Sequence, residues 1–120
     1  MPFMFEKLEV YQKAVDFADE IAALTEGFPR GYGFLVDQLN RAALSIATNL
    51  AEGNDRFTKH DRRNFFTIAR GSAQECVALL EIEGGAGSSM TTAALVLKER
   101  LENIATMISG PINGLDKRDA

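Results

Sequence analysis

Gln38-Leu39-Asn40-Arg41-Ala42-Ala43-Leu44-Ser45-Ile46-Ala47-Thr48-Asn49-Leu50-Ala51-Glu52-Gly53 decides the fold of this chain. The run holds no proline, and no glycine before Gly53. It is dense in alanine, the residue with the best intrinsic helix propensity. Leu39, Ile46 and Leu50 recur at helical spacing with Ala42 and Ala43 between them, which predicts one buried stripe. Small residues on such a stripe let a neighbouring helix approach closely. Beside it, Arg41, Ser45, Asn49 and Glu52 stand three or four apart and form a polar row.

Outward from this run, three more helices are expected. The first covers about 5–26 and stops at Gly27-Phe28-Pro29, because proline cannot continue a helix. It carries two apolar stripes: Leu8, Tyr11, Val15, Ala18 and Ala22, and then Val10, Ala14, Phe17, Ile21 and Leu24. One stripe suffices to pack a helix into a bundle, so with two the helix either lies deep in the monomer or meets another subunit, and the wet outer face usual in bundles favours the subunit. The central helix covers about 34–52, with Gly53 placed as its C-terminal cap.

Thr58, with Asp61 three residues on, is a good N-cap for a third helix over 58–83. That helix is expected to turn Phe65, Ile68, Ala69, Ser72, Cys76, Leu79 and Leu80 inward, with Phe57 also in the core. It ends at the loop Gly84-Gly85-Ala86-Gly87-Ser88-Ser89. A fourth helix over about 91–109 buries Leu97, Leu101, Ile104, Ala105 and Ile108. Gly110-Pro111 should terminate or kink it, leaving 116–120 as a frayed tail. No stretch alternates with period two over the length of a strand. Rods of about 20 residues, about 30 Å long, joined by short links make an all-α, antiparallel up-down-up-down four-helix bundle over 1–120.

The composition narrows the function. Apolar residues make up 46% and charged residues 25% of 120, as in an ordinary globular domain. No apolar stretch approaches the roughly 20 residues that span a bilayer, so no membrane partner is expected. The start has no signal-peptide order, and a lone cysteine, Cys76, forms no internal disulfide, so the expected location is cytoplasmic. The net charge of −4 is segregated, with −4 over 1–29, +3 over 30–70 and −3 over 71–120. A basic patch on an acidic protein follows if the middle third gathers at one end.

Enzymatic readings fare poorly. His60, the only histidine, lies beside Lys59 and Arg62, with no nucleophile set by motif. Two-metal carboxylate sites in bundles need Glu-x-x-His pairs on two helices, and one histidine cannot supply them. Gly84-Gly85-Ala86-Gly87 lacks the Lys-Ser/Thr of a phosphate loop. Cys76 on the apolar face is expected to be inert. Neither catalytic residues nor a cofactor or metal site are expected. Two clusters remain. Arg56, Lys59, Arg62 and Arg63 surround the turn between helices two and three, with Arg41 and Arg70 placed to join them, as a nucleic-acid surface. Arg41, Ser45, Asn49 and Glu52, facing Glu75 and Ser72 of helix three, make a polar packing seam.

The 38–53 run resembles the signature of the bacterial four-helix bundle family first named for intervening sequences of 23S ribosomal RNA. Phe5-Glu6-Lys7-Leu8-Glu9-Val10-Tyr11-Gln12-Lys13-Ala14 looks like that family's opening helix. Phe28-Pro29, with Leu35 and Gln38-Leu39 following, sits where its first turn enters helix two. Phe65-Phe66-Thr67-Ile68-Ala69-Arg70-Gly71-Ser72 and Glu75 look like its third-helix block. The sequence departs from the family pattern at the glycine-rich 84–89 segment and at Gly110-Pro111. The resemblance implies a small cytoplasmic protein assembling as a ring, often a pentamer, with no known activity in most members. A similar fold serves as the accessory protein of diversity-generating retroelements, where a basic ring surface binds nucleic acid and a reverse transcriptase. The combined expectation is a non-enzymatic homo-oligomeric binding or scaffolding module that engages nucleic acid or a nucleic-acid enzyme. The alternative is a structural or protein–protein assembly factor without nucleic acid.

Overall fold

A short 3₁₀ turn, Met4–Lys7, leads into α1, Glu9–Glu26. The turn is tied to the helix by Leu8 N–H on the Phe5 carbonyl (3.0 Å) and by the Gln12 side-chain amide on the Glu6 carbonyl (2.9 Å). Three longer helices follow: α2, Gly33–Asn54; α3, Lys59–Gly85; and α4, Thr92–Asp119. The computed structural model describes residues 4–85 and 92–119, with side-chain surroundings for 5–83, 92–110 and 112. Among the described residues there is no strand, and no helix is long and apolar enough to cross a membrane.

The bundle is all-α, and neighbouring helices run antiparallel. Arg41 meets Glu75, Ser45 meets Ser72 and Gly53 meets Phe65, so α3 descends as α2 ascends. Lys98 with Glu81 and Arg70 with Ser109 set the same relation between α3 and α4. Between α1 and α4, Arg100 pairs with Glu20. The link from α1 to α2 reverses at Gly31, whose φ of +96° lies in the region that side chains disfavour. Asn40 then ties the two helices, donating to Thr25 Oγ1 at 3.0 Å while Thr25 donates to the Ile21 carbonyl at 2.9 Å.

One apolar core runs the length of the bundle. Val10, Ala14, Phe17 and Ile21 of α1 meet Leu39, Ala43, Ile46 and Leu50 of α2 in it. Ala69, Cys76 and Leu80 of α3 and Leu97, Leu101, Ile104 and Ile108 of α4 complete it. The other stripe of α1, at Leu8, Tyr11, Val15 and Ala18, is half-buried, and Ala22 is exposed. Part of that cover is local, since the Phe5 ring packs edge-on against Tyr11 at 5.0 Å.

Several sequence expectations are corrected. Gly53 is not a cap: α2 continues through it to Asn54, and it is buried against α3. The helix ends instead at Asp55, with the Arg56 N–H on the Gly53 carbonyl at 3.2 Å. Gly110-Pro111 does not end α4, which runs to Asp119 with Ile112 buried beyond the proline, so the frayed tail expected from 116 is helical up to 119. An interior proline loses one backbone bond and crowds the carbonyl four residues back, at a cost of about 3 kcal/mol, and the burial of Ile112 on its far side offsets part of that cost. On α3 the inward aromatic is Phe66, not Phe65, while Ile68 is half exposed. Phe57, expected in the core, is fully exposed. Gly84 and Gly85 close α3, and the rest of the expected 84–89 loop lies outside the described residues.

Candidate functional site

The basic end of the bundle is built on Gly53. A β-carbon there would stand 2.9 Å from Phe65 Cβ and 3.0 Å from Phe66 Cε1, so only glycine lets α2 and α3 meet this closely. The short link that follows is fixed from both sides. Thr58 Oγ1 accepts the Asp61 N–H at 3.1 Å, the N-cap expected from sequence, and the Thr58 carbonyl accepts the Arg62 N–H at 3.1 Å. Arg62 Nε reaches back to the Arg56 carbonyl at 2.9 Å, bracing the link across its width.

Arg56, Lys59, Arg62 and Arg63 all belong to this link and the first turn of α3. Arg56 lies with its guanidinium 4.6 Å from the centre of the Phe65 ring and bonds Glu52 at 2.8 Å. Lys59 is exposed, and Arg62 and Arg63 are half-buried. Over 52–63 the four cations stand among three carboxylates, Glu52, Asp55 and Asp61, with Glu52 paired to Arg56. His60 is exposed and shares a 3.3 Å contact with Asn64. Arg41 and Arg70 do not join the cluster. Arg41 stands about 22 Å back along α2 at 1.5 Å per residue, and Arg70 turns to Ser109 of α4 at 3.4 Å.

The polar row between α2 and α3 is brought together except at one end. Arg41 donates to Glu75 at 2.9 Å and to Gln38 at 2.7 Å. Ser45 and Ser72 hydroxyls meet at 2.8 Å, and Asn49 donates to both the carbonyl (2.8 Å) and the hydroxyl (3.0 Å) of Ser45. Glu52 leaves the row and turns to Arg56. The Arg41–Glu75 pair is about half exposed, where an ion pair is worth at most about 1 kcal/mol. The Ser45–Ser72 bond is better sheltered, and breaking it costs about 1 kcal/mol.

Cys76 lies behind this row in the core. Burial pushes its thiol up to about 12 from an ordinary value of 9.0, with Glu75 adding to the rise and Arg41 opposing it. The neutral thiol is therefore the native form, and ionisation favours the unfolded chain. Below pH 9 both states hold the proton and the group contributes no pH dependence. Between pH 9 and about 12 the unfolded chain loses its proton first, so stability falls as pH rises. Thiol reagents are expected to leave the native protein unmodified at pH 8 and to modify it stoichiometrically in denaturant. Above pH 9, Cys76→Ala should lose less stability per pH unit than the parent chain. Equal slopes in urea titrations would contradict the assignment. Among the described residues no three histidine, cysteine or carboxylate side chains gather as metal ligands.

Sequence reasoning missed the exposure of Phe57 and the Thr25–Asn40 link. A signal for the first existed: apart from Phe57, every residue over 54–64 is polar or charged, so this ring has no apolar neighbour in its own segment.

These features define an antiparallel four-helix bundle with a braced cationic turn at one end and a polar seam along one groove. The chain belongs to the 23S rRNA-intervening sequence protein family, whose model matches residues 6–110. That span runs from the turn before α1 to the glycine preceding Pro111, so it takes in all three interhelical links. No curated protein matches the chain at a significant level.

Proposed function

We propose that this protein is a non-enzymatic, oligomeric binding module of the cytoplasm that engages nucleic acid, directly or beside a nucleic-acid enzyme, through its α2–α3 end. The observation that carries this reading is the braced turn whose four cations, Arg56, Lys59, Arg62 and Arg63, outnumber the carboxylates Glu52, Asp55 and Asp61 around it in a chain whose net charge is −4. A positive end on an acidic body repels general anion binding elsewhere and orients the molecule toward phosphate. Assembly is supported by apolar surface the monomer leaves in water: Leu44 of α2, Ile68 and Ile82 of α3, and the half-covered stripe of α1. A ring, pentameric or otherwise, would repeat the patch and turn weak phosphate contacts into an avid surface. The same apolar residues favour the second reading, a protein–protein assembly factor with no nucleic-acid contact.

Fluorescence anisotropy with duplex DNA and structured RNA separates the two. Binding through four phosphate contacts per subunit should weaken about 100-fold between 50 and 200 mM salt. The double variant Arg62→Glu/Arg63→Glu is expected to abolish binding while leaving particle mass by sedimentation unchanged. Absence of binding at low salt by the parent chain would leave the assembly-factor reading in its place.

A further inference from the structure

Phe57 is 102% exposed, in a segment where the other ten residues from 54 to 64 are all polar or charged. Its exposure is not the result of a loose loop. The backbone on its N-terminal side is held by Arg56 N–H on Gly53 and by the Arg62 side chain on the Arg56 carbonyl. On its C-terminal side Thr58 caps α3. The place a ring could have taken against the bundle is already filled: Phe65 packs beside Gly53 and is covered by the Arg56 guanidinium. The turn thus presents an aromatic side chain on a hydrogen-bonded link whose flanking residues include four cations.

We propose that Phe57 is a stacking platform for an unpaired nucleobase, so that the ligand of the α2–α3 end is single-stranded or looped nucleic acid and not a continuous duplex. This rests on the nucleic-acid reading above and narrows it. Side chains such as phenylalanine stack on splayed bases while neighbouring cations follow the phosphates, and each stacked base is sequence-tolerant because every base has a π-face. In a duplex the bases are already stacked on one another, and a lone ring gains nothing from them. A protein partner fits less well. Protein interfaces centre on clustered apolar anchors, and Phe57 has none within its segment. A symmetric contact with the same turn of a second copy would set Lys59, Arg62 and Arg63 against themselves.

The test uses the full-length chain with a 12-nucleotide single strand, a hairpin with an unpaired loop and a blunt duplex, each as RNA and DNA. Phe57→Ala should bind the single strand and the loop about tenfold more weakly and the duplex within twofold of the parent. Because the chain has no tryptophan, F57W places a sole indole at the site. Its emission should be quenched by the single strand and unchanged by the duplex. Loss of binding in R62E/R63E with no effect of F57A and no quenching would overturn the stacking platform and leave the basic surface standing. No binding of any oligonucleotide by the parent, with F57W silent, would overturn both. A change of particle mass in F57A with nucleic-acid affinity intact would assign the ring to a subunit contact. A blue shift of F57W on anionic vesicles without quenching by oligonucleotides would assign it to a lipid surface. Either result overturns the proposal.

Discussion

Gly53→Ala is expected to destabilise the bundle by about 1 kcal/mol, and Gly53→Leu by about 3 kcal/mol or more. Alanine gains about 1 kcal/mol of helix propensity over glycine, which offsets part of the clash. The rest cannot be relieved cheaply, because the nearest atom is Phe65 Cβ, at 2.9 Å, one bond from the α3 backbone. α3 must therefore move away from α2, and the Arg56–Phe65 contact and the braced link move with it. The graded response is the discriminating result. Were Gly53 a helix cap in the left-handed region, the penalty would come from the β-carbon alone, and alanine and leucine would cost about the same. Urea titration of both variants measures the difference. A larger effect on nucleic-acid affinity than on stability would further show that the geometry of the turn is the functional quantity.

Phe17→Ala should have the other large effect, a loss of about 3–5 kcal/mol. The ring is wholly buried where α1 faces the other helices, and close-packed neighbours refill such a void only in part. A domain is stable by only about 5–15 kcal/mol in total, so the variant should melt about 15 °C lower. Val15→Ala offers the contrast, since Val15 lies on the half-buried stripe of α1. If that stripe meets a second subunit, the Val15→Ala loss should shrink on dilution below the dissociation constant while the Phe17→Ala loss stays constant. A loss below about 2 kcal/mol in Phe17→Ala would place the core elsewhere.

Much of the fold could be read from residue spacing. The stripe through Leu39, Ile46 and Leu50 is the buried face of α2, and Thr58 caps α3 as its distance from Asp61 implied. These are local features: helical period and cap chemistry act within a few residues, so a sequence displays them directly. The facing of Arg41 with Glu75 and of Ser45 with Ser72 was also legible, because antiparallel helices with a short link have few registers open to them.

What the sequence could not settle were choices between neighbouring residues competing for one place. Phe57, Phe65 and Phe66 are three aromatics within ten positions, and periodicity cannot say which enters the core. Tertiary packing decides it: Phe66 is buried, Phe65 is half-buried beneath Arg56, and Phe57 stands in water. Gly53 likewise reads as a cap in sequence, since glycine serves equally for a left-handed turn and for close approach, and only the position of α3 tells them apart. Gly110-Pro111 reads as a stop, yet α4 continues because Ile112 finds burial beyond it. By itself, then, the sequence determined four antiparallel helices and the inward stripe of α2, consequences of short-range spacing. Tertiary structure alone decided which of the adjacent Phe65 and Phe66 enters the core, because that outcome depends on the volume left between two helices after a glycine has let them touch.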